Sequence, residues 1–171
     1  MSPLAEIMTS TSPRIEFGVE RSVCSCGECV RNCLYIPGYL IPADLLRILP
    51  GDNSAINWAE SHLRASPGAL VAAQGRTFRI PTIVPARKGD GSCVFHTAGL
   101  CSIHVTAPFG CAFFDNHMDD DEGNRLSSLG LISILDDVRG GYGGLWKHLW
   151  ERGFTVPGPE ESRLRMAYRA G

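Results

Sequence analysis

Four of the seven cysteines of this 171-residue chain fall within the ten residues CSCGECVRNC, from position 24 to position 33. The C-x2-C spacing inside this stretch lets a tight turn direct two thiolates at one metal ion, and the glycine between them supplies the backbone freedom for that turn. Without a cation, neighbouring thiolates repel one another, so their pKa values rise and the thiols stay protonated. A bound metal removes this penalty and couples ligation to folding. The stretch therefore predicts a metal site.

Three further cysteines lie downstream, separated by seven and nine residues. Zinc and iron–sulfur sites commonly take four ligands, which are thiolates with an occasional imidazole. Seven cysteines leave one position open if two such sites form. His117 is the first candidate for it because it closely follows the last cysteine, and His96 and His104 are its rivals. The predicted metal ligands are Cys24, Cys26, Cys29, Cys33, Cys93, Cys101, Cys111 and His117.

Other features of the sequence indicate in which compartment these cysteines lie and which partners are expected. The chain does not open on a basic segment followed by an apolar one, and no stretch reaches the roughly 20 apolar residues that cross a bilayer, so we expect a cytoplasmic protein without membrane contact. In that compartment clustered cysteines are more often metal ligands or redox groups than disulfides. A net charge of −2 gives no positive field for nucleic acid. A disulfide-stapled module, with about one free thiol, is the alternative.

The length and the 44% hydrophobic content suit one globular domain. Residues 1–14 are rich in Ser, Thr and Pro, so we expect a disordered tail, and residues 15–171 would form a single cysteine-cluster metal-binding domain. Two helices are predicted early, the first from Pro42 through Leu49 and the second from a cap at Asn53 or Ser54 to a stop before Pro67.

The later part of the chain changes its hydrophobic period. In residues 69–105 the hydrophobic pattern approaches a period of two, with β-branched and aromatic residues in segments that Gly and Pro separate. This pattern predicts several short strands, and the internal prolines favour edge or irregular strands. Helices are predicted over residues 123–139, 145–154 and 159–170, with a flexible break at residues 140–144. The predicted fold is therefore α+β: a small, loop-rich, metal-stabilised domain with short strands and a helical C-terminal third.

The order CSCGEC, a long insert and then GSCVFHTAGLCSIHVTAPFGCAFF resembles the YkgJ-like cysteine-cluster family, which is described as a zinc- or iron-chelating domain. Cys26 and Cys29 resemble the core of its first element, and Cys93, Cys101 and Cys111 resemble the three later ones. The chain differs from the family pattern in the position of Cys24 and in lacking a Cys-Cys doublet. The resemblance implies metal chelation, through either zinc or an iron–sulfur cluster.

A bound metal would support one of two alternative functions. An iron–sulfur cluster, which the resemblance favours, or a catalytic zinc would give redox or metal-dependent activity, with substrate entering near one of the candidate histidines. A zinc ion with four protein ligands would instead make a structural or interaction module without catalysis. The metal, its number and any catalytic residue stay open at this point.

The acidic stretch from Asp115 to Glu122 lacks the spacing of a calcium loop, and we expect it to form a solvated, acidic helix start. His62 and His148 fall on predicted helices without a nearby cysteine and are expected to be structural. A Cys93–His104 nucleophile pair lacks a recognisable third group.

Overall fold

The computed structural model describes residues 14–156. Within this range, six α-helices and antiparallel strand pairs confirm the α+β class, and helices dominate the C-terminal part. No helix in this range is both long and apolar enough to span a bilayer. The elements are β1 (Ile15–Glu16), β2 (Val19–Glu20), α1 (Gly27–Tyr35), α2 (Pro42–Ile48), α3 (Ala55–His62), β3 (Leu63–Ala73), β4 (Arg76–Pro85), β5 (His96–Thr97), β6 (Leu100–Cys101), a 3-10 turn (His104–Thr106), α4 (Phe109–Ala112), α5 (Asp120–Asp136) and α6 (Gly141–Glu151).

Of the several short strands expected over residues 69–105, β5 and β6 are present, whereas residues 69–85 belong to one long hairpin. Strands β3 and β4 are 11 and 10 residues long and pair in antiparallel register. Gln74 and Gly75 connect them with φ values of 50° and 71°, which a two-residue type I′ turn requires. Strand β4 tolerates Pro81 because this residue falls at the register shift opposite Ser66–Ala69, and Pro85 is the last residue of the strand.

Helices α2, α3, α5 and α6 pack with the hairpin around one apolar core, and we call this assembly the body. The phenol of Tyr142 lies at its centre, where it accepts a hydrogen bond from the Ile83 N–H (2.8 Å) and donates one to the Leu40 carbonyl (2.7 Å). This side chain therefore joins α6 to both neighbouring chain segments. The large, fully buried side chains of the body include Leu40, Leu63, Ile80, Ile83, Ile134, Tyr142 and Leu149.

The helix predicted from Pro42 is present as α2, and the Asp44 carboxylate in its first turn accepts the Ile41 N–H at 2.9 Å. The second predicted helix is present as α3 but ends at residue 62. Leu63, which lies inside the range predicted for that helix, opens β3 instead because it pairs with Pro85 across the hairpin. Tertiary pairing here overrides the local helical pattern.

A second, smaller apolar cluster lies between the body and the cysteine-rich segments. Its polar centre is Asp44, which is fully buried, accepts the Phe109 N–H at 2.8 Å and pairs with the Arg14 guanidinium. Arg14 was assigned to the disordered tail, yet this contact fixes it against α2. The cluster consists of Ile41, Ala107, Phe109, Ala112 and Phe113.

Two glycines bring the chain after α1 against α4. A Cβ on Gly38 would collide with the Gly110 backbone, and one on Gly110 would collide with residues 38 and 39. The Gly110 N–H donates to the Tyr39 carbonyl at 2.9 Å across this contact. The backbones can approach so closely only because neither residue has a side chain.

The acidic stretch starts a helix, as expected, with Asp119 capping α5 by accepting the Glu122 N–H at 2.8 Å. The break predicted at residues 140–144 is wrong, because α6 begins at Gly141. Asp137 accepts the Tyr142 N–H at 2.9 Å and so supports that first turn. The tail at residues 1–13 and the helix predicted over residues 159–170 lie outside the described residues.

Candidate metal centre

Three thiols and one imidazole converge at one end of α1. The ligand atoms of Cys24, Cys26, Cys29 and His117 all lie within 4.8 Å of one another, and the Cys26 Sγ is 3.3 Å from the His117 Nε2. Around a tetrahedral zinc ion, Zn–S bonds of about 2.3 Å place neighbouring sulfur atoms about 3.8 Å apart. The spacing of the four groups is therefore that of ligands to one ion. We call this set the Cys3His cluster.

The start of α1 positions the three thiols. Cys26 is the N-cap, with an extended backbone, and Gly27 is the first helical residue. Cys29 comes one turn later, so its thiol lies next to that of the cap residue. Cys24 precedes the helix in a segment held by Ser22, whose Oγ accepts the Cys24 N–H at 3.4 Å. The C-x-C-x2-C spacing thus wraps an extended segment and a helical turn around one point.

The imidazole comes from the loop after α4, far away in the sequence. Asp115 orders this loop by accepting the His117 N–H at 2.8 Å and the Ser22 hydroxyl at 2.7 Å. The Ser22 N–H in turn donates to the Ala112 carbonyl at 2.9 Å. These bonds hold the segment that carries the thiols against the loop that carries the imidazole.

Asn116 adds two more bonds between these segments. Its N–H donates to the Cys29 Sγ at 3.4 Å, and its side-chain oxygen accepts from the Asn32 amide on α1. N–H donors to thiolate sulfur are the usual outer-shell partners of metal-bound cysteine, because they stabilise its negative charge. The loop therefore provides both a ligand and a support for another ligand.

The electrostatics of the cluster favour a mixture of charged and neutral groups before a metal binds. The Cys29 N–H and the His117 ring lower the pKa of Cys26 to about 6. The same thiolate raises the pKa of His117 through their hydrogen bond. The Asn116 N–H lowers the pKa of Cys29, but desolvation and the Cys24 and Cys26 thiols outweigh it and raise that pKa to about 11. A cation would relieve this repulsion and displace the remaining proton.

The other four predicted cysteine ligands lie outside the Cys3His cluster. Cys33 lies one helical turn beyond Cys29 on α1 and is exposed. Cys93 is buried ahead of β5, Cys101 is half-buried on β6, and Cys111 lies on α4. The sequence stretch of four cysteines is therefore split by the fold, with three in the cluster and one outside it.

Among the candidate histidines, only His117 lies in the Cys3His cluster. His104 lies beside Arg21, with 3.2 Å between its Nδ1 and the guanidinium, and burial lowers its pKa. His96 pairs in the β5–β6 hairpin. His62 and His148 make ordinary hydrogen bonds of 2.8 Å to partners on α3, as expected for structural residues. The ligand role of each predicted residue stays a prediction.

Sequence reasoning missed the residues that support the cluster, which are Ser22, Asp115 and Asn116. Asp115 and Asn116 are close neighbours of His117 in the sequence, and that proximity was the one available signal. The stretch containing Asp115 was considered only as an acidic surface. Ser22 carries no signal, because its role arises from a bond to a residue 93 positions away.

Comparison of the chain with protein-family models, with curated proteins and with solved structures returned no match. The resemblance to the YkgJ-like family therefore stays a prediction. The functional argument depends on the geometry of the cysteines.

Proposed function

We propose that this protein is a zinc-stabilised domain in which Cys24, Cys26, Cys29 and His117 bind one Zn²⁺. The observation that carries the proposal is the convergence of all four ligand atoms within 4.8 Å. Three cysteines and one histidine form one of the common ligand sets of structural zinc. Three thiolates and a neutral imidazole around Zn²⁺ give a net charge of −1, which leaves far less repulsion than three thiolates alone.

The compactness of the Cys3His cluster favours zinc over an iron–sulfur cluster at this position. In a [4Fe–4S] cluster each cysteine binds its own iron atom, so the sulfur atoms of the cysteines are held farther apart than around one ion. Zinc also suits a mixed sulfur and nitrogen set in tetrahedral geometry. The sequence resemblance, which is to a zinc- or iron-chelating family, is compatible with this choice.

A structural role is favoured because four protein ligands complete a tetrahedral zinc ion and leave no position for water or substrate. Helix α1 has no buried residue, so burial of apolar side chains contributes little to its position. A metal bound between Cys26, Cys29 and His117 would fasten the start of α1 to the loop after α4. The function supported best is therefore a module whose cysteine-rich surface is organised by zinc.

Metal analysis of protein purified under reducing conditions tests this proposal. We expect zinc in the wild type, and one equivalent less in both Cys29→Ser and His117→Asn. Cobalt substitution should give the intense visible bands of tetrahedral, thiolate-bound Co²⁺, and these should weaken in both variants. Asp120→Ala is the matched control, since Asp120 lies at the start of α5 outside the Cys3His cluster and should leave metal content unchanged.

Full zinc content in both ligand variants would refute the ligand assignment. A structural role would be refuted if zinc removal left the hydrogen exchange of α1 unchanged.

A further inference from the structure

We infer that Cys33, Cys93, Cys101 and Cys111 form a second metal site, separate from the Cys3His cluster, that binds an iron–sulfur cluster. We call these residues the four-thiol group. The inference does not depend on zinc at the first site, because the two sets share no ligand.

Backbone hydrogen bonds bring three of the four residues together. The Cys93 N–H donates to the carbonyl of Leu34, the residue after Cys33, at 2.7 Å. Cys101 pairs with His96 across the β5–β6 hairpin, and His96 follows Cys93 by three residues. Positions 33, 93 and 101 are therefore neighbours in space although they lie on three separate segments.

The glycine contact between the chain after α1 and α4 brings in the fourth residue. The Gly38 N–H donates to the Cys111 Sγ at 3.1 Å, and the Gly38 carbonyl lies 3.9 Å from the same sulfur. Gly38 follows Cys33 by five residues and lies in the short connection that leaves α1. The Cys111 sulfur thus faces the C-terminal end of α1, where Cys33 lies.

The Gly38 N–H that points at the Cys111 sulfur is the kind of donor that supports a bound thiolate. Such N–H···S bonds stabilise metal-bound thiolates and tune iron–sulfur clusters.

One guanidinium offsets the charge of the group. Arg21 interacts favourably with Cys33, Cys101 and Cys111 and is fixed by a 2.6 Å hydrogen bond to the His104 carbonyl. A cluster bound by four thiolates carries net negative charge, so a fixed cation beside it is stabilising.

The spacing of the four-thiol group favours a cluster over one ion. Within residues 14–156, the Cys3His cluster is the one set of three or more Cys, His, Asp or Glu ligand atoms that all lie within 4.8 Å of one another. No three sulfur atoms of the four-thiol group are that close. Cysteines that bind separate iron atoms of one cluster are expected to have this wider separation, with four of them as the usual ligand number.

The site also has an opening to solvent. Cys33 and Cys111 line a cavity of about 160 Å³ beside α1, and Cys29 of the Cys3His cluster lines the same cavity. Packing alone would explain a buried thiol such as Cys93, because free cysteine behaves as a small hydrophobe. It does not explain the exposed Cys33 at the edge of a cavity that this residue shares with Cys111.

Anaerobic reconstitution of the full chain with sulfide and a mixture of Fe²⁺ and Fe³⁺, which supplies the ferric iron of the cluster, tests the inference. We expect equal amounts of iron and acid-labile sulfide, with the broad visible absorption of a thiolate-bound cluster. Cys33→Ser, an exposed change that should leave the fold intact, should lose most of this absorption and iron while keeping one zinc. Cys29→Ser should show the reverse pattern, and Asp120→Ala should keep both metals.

Three results would overturn the inference. They are a wild type that takes up no iron under these conditions, a wild type that holds a second zinc ion in place of the cluster, and a Cys33→Ser variant with undiminished cluster absorption. A wild type that assembles the cluster but contains no zinc would refute the proposed function while sustaining the second site.

Discussion

The body and the cysteine-rich surface of this protein are stabilised by different forces. In the body, side chains such as Ile134 and Leu149 are fully buried, and their removal from water stabilises the fold by about 25 cal/mol per Å² of apolar area. In α1 no residue is buried, and the two strands of the β5–β6 hairpin have two residues each. The thiols of Cys24, Cys26 and Cys29 lie at the start of this helix, whereas Cys93 belongs to the apolar core of the body.

This difference shows that two regions of one chain of moderate length can be stabilised by different means. A hydrophobic core can order its own helices and hairpin, whereas short segments with polar surroundings need a bound group to fix them. The two regions should therefore respond independently to loss of metal and to loss of apolar volume. The following predictions test that independence, beginning with the largest effect.

Removal of metal should have the largest effect, and it should be confined to the cysteine-rich surface. Structural zinc contributes apparent free energies of about 10–16 kcal/mol in small zinc-binding peptides. After chelation, amide hydrogen exchange should accelerate strongly in α1 and in residues 113–118. It should change little in β3, β4 and α6, and equal acceleration throughout the protein would show that the two regions are not independent.

Leu149→Ala should produce the reverse pattern. Leu149 is fully buried in α6, and truncation of such a residue costs about 2–5 kcal/mol, because the transfer free energy is lost and a cavity is left. Denaturant unfolding should show this loss in the body while zinc content stays at the wild-type value. Leu46→Ala is the matched control, because this side chain on α2 is 89% exposed and its loss should barely alter stability. Loss of zinc in Leu149→Ala would contradict the independence of the body and the cysteine-rich surface.

Tyr142→Phe should have a smaller effect on the body. The change removes one hydroxyl and leaves the Ile83 N–H and the Leu40 carbonyl buried without this partner, which costs about 1–3 kcal/mol. Thermal unfolding of the metal-loaded protein measures the loss. Since the aromatic ring remains, a loss clearly above about 3 kcal/mol would mean that the substitution disturbs packing instead of two hydrogen bonds.

Asp52→Asn should have the smallest effect, and it should depend on pH. The Ser54 hydroxyl and N–H donate to the Asp52 carboxylate ahead of α3 and lower its pKa. A lowered pKa in the folded state stabilises the protein above the unfolded-state pKa, and the contribution disappears as the pH falls through the folded-state pKa. The slight difference in Tm between wild type and variant should therefore vanish in acid.

Wild type and variant must be compared at each pH, so that acid-induced loss of metal affects both alike. A difference that stays constant down to the most acidic pH would contradict the assigned role of the carboxylate.

Local signals were sufficient to predict much of the body. Pro42 correctly marked the start of α2, and the fold class followed from the change in hydrophobic period. The long hairpin was missed because its turn carries only part of the usual signal: Gly75 suits a positive φ, but Gln74 is not typical of that conformation. The end of α3 was misplaced because the pairing of β3 with β4 is a tertiary effect.

The cysteine spacing predicted a metal site and gave His117 as the first histidine candidate, but it could not divide the thiols between two sites. Cys33 follows Cys29 by four residues, so the pattern alone places both in one group. The structure separates them because Cys29 lies at the start of α1, next to the loop of His117, whereas Cys33 lies toward the other end of the helix. Such a division depends on contacts between residues about 80–90 positions apart in the chain.

The contact between Gly38 and Gly110 has a consequence for tracing the ancestry of this chain. A larger residue at one position cannot be compensated by a smaller residue at the other, because glycine is already the smallest. Drift at these two sites should therefore be blocked, even where the surrounding loops have diverged beyond recognition. A retained pair of glycines at these two positions, rather than overall identity, is therefore the feature by which distant relatives should be recognised.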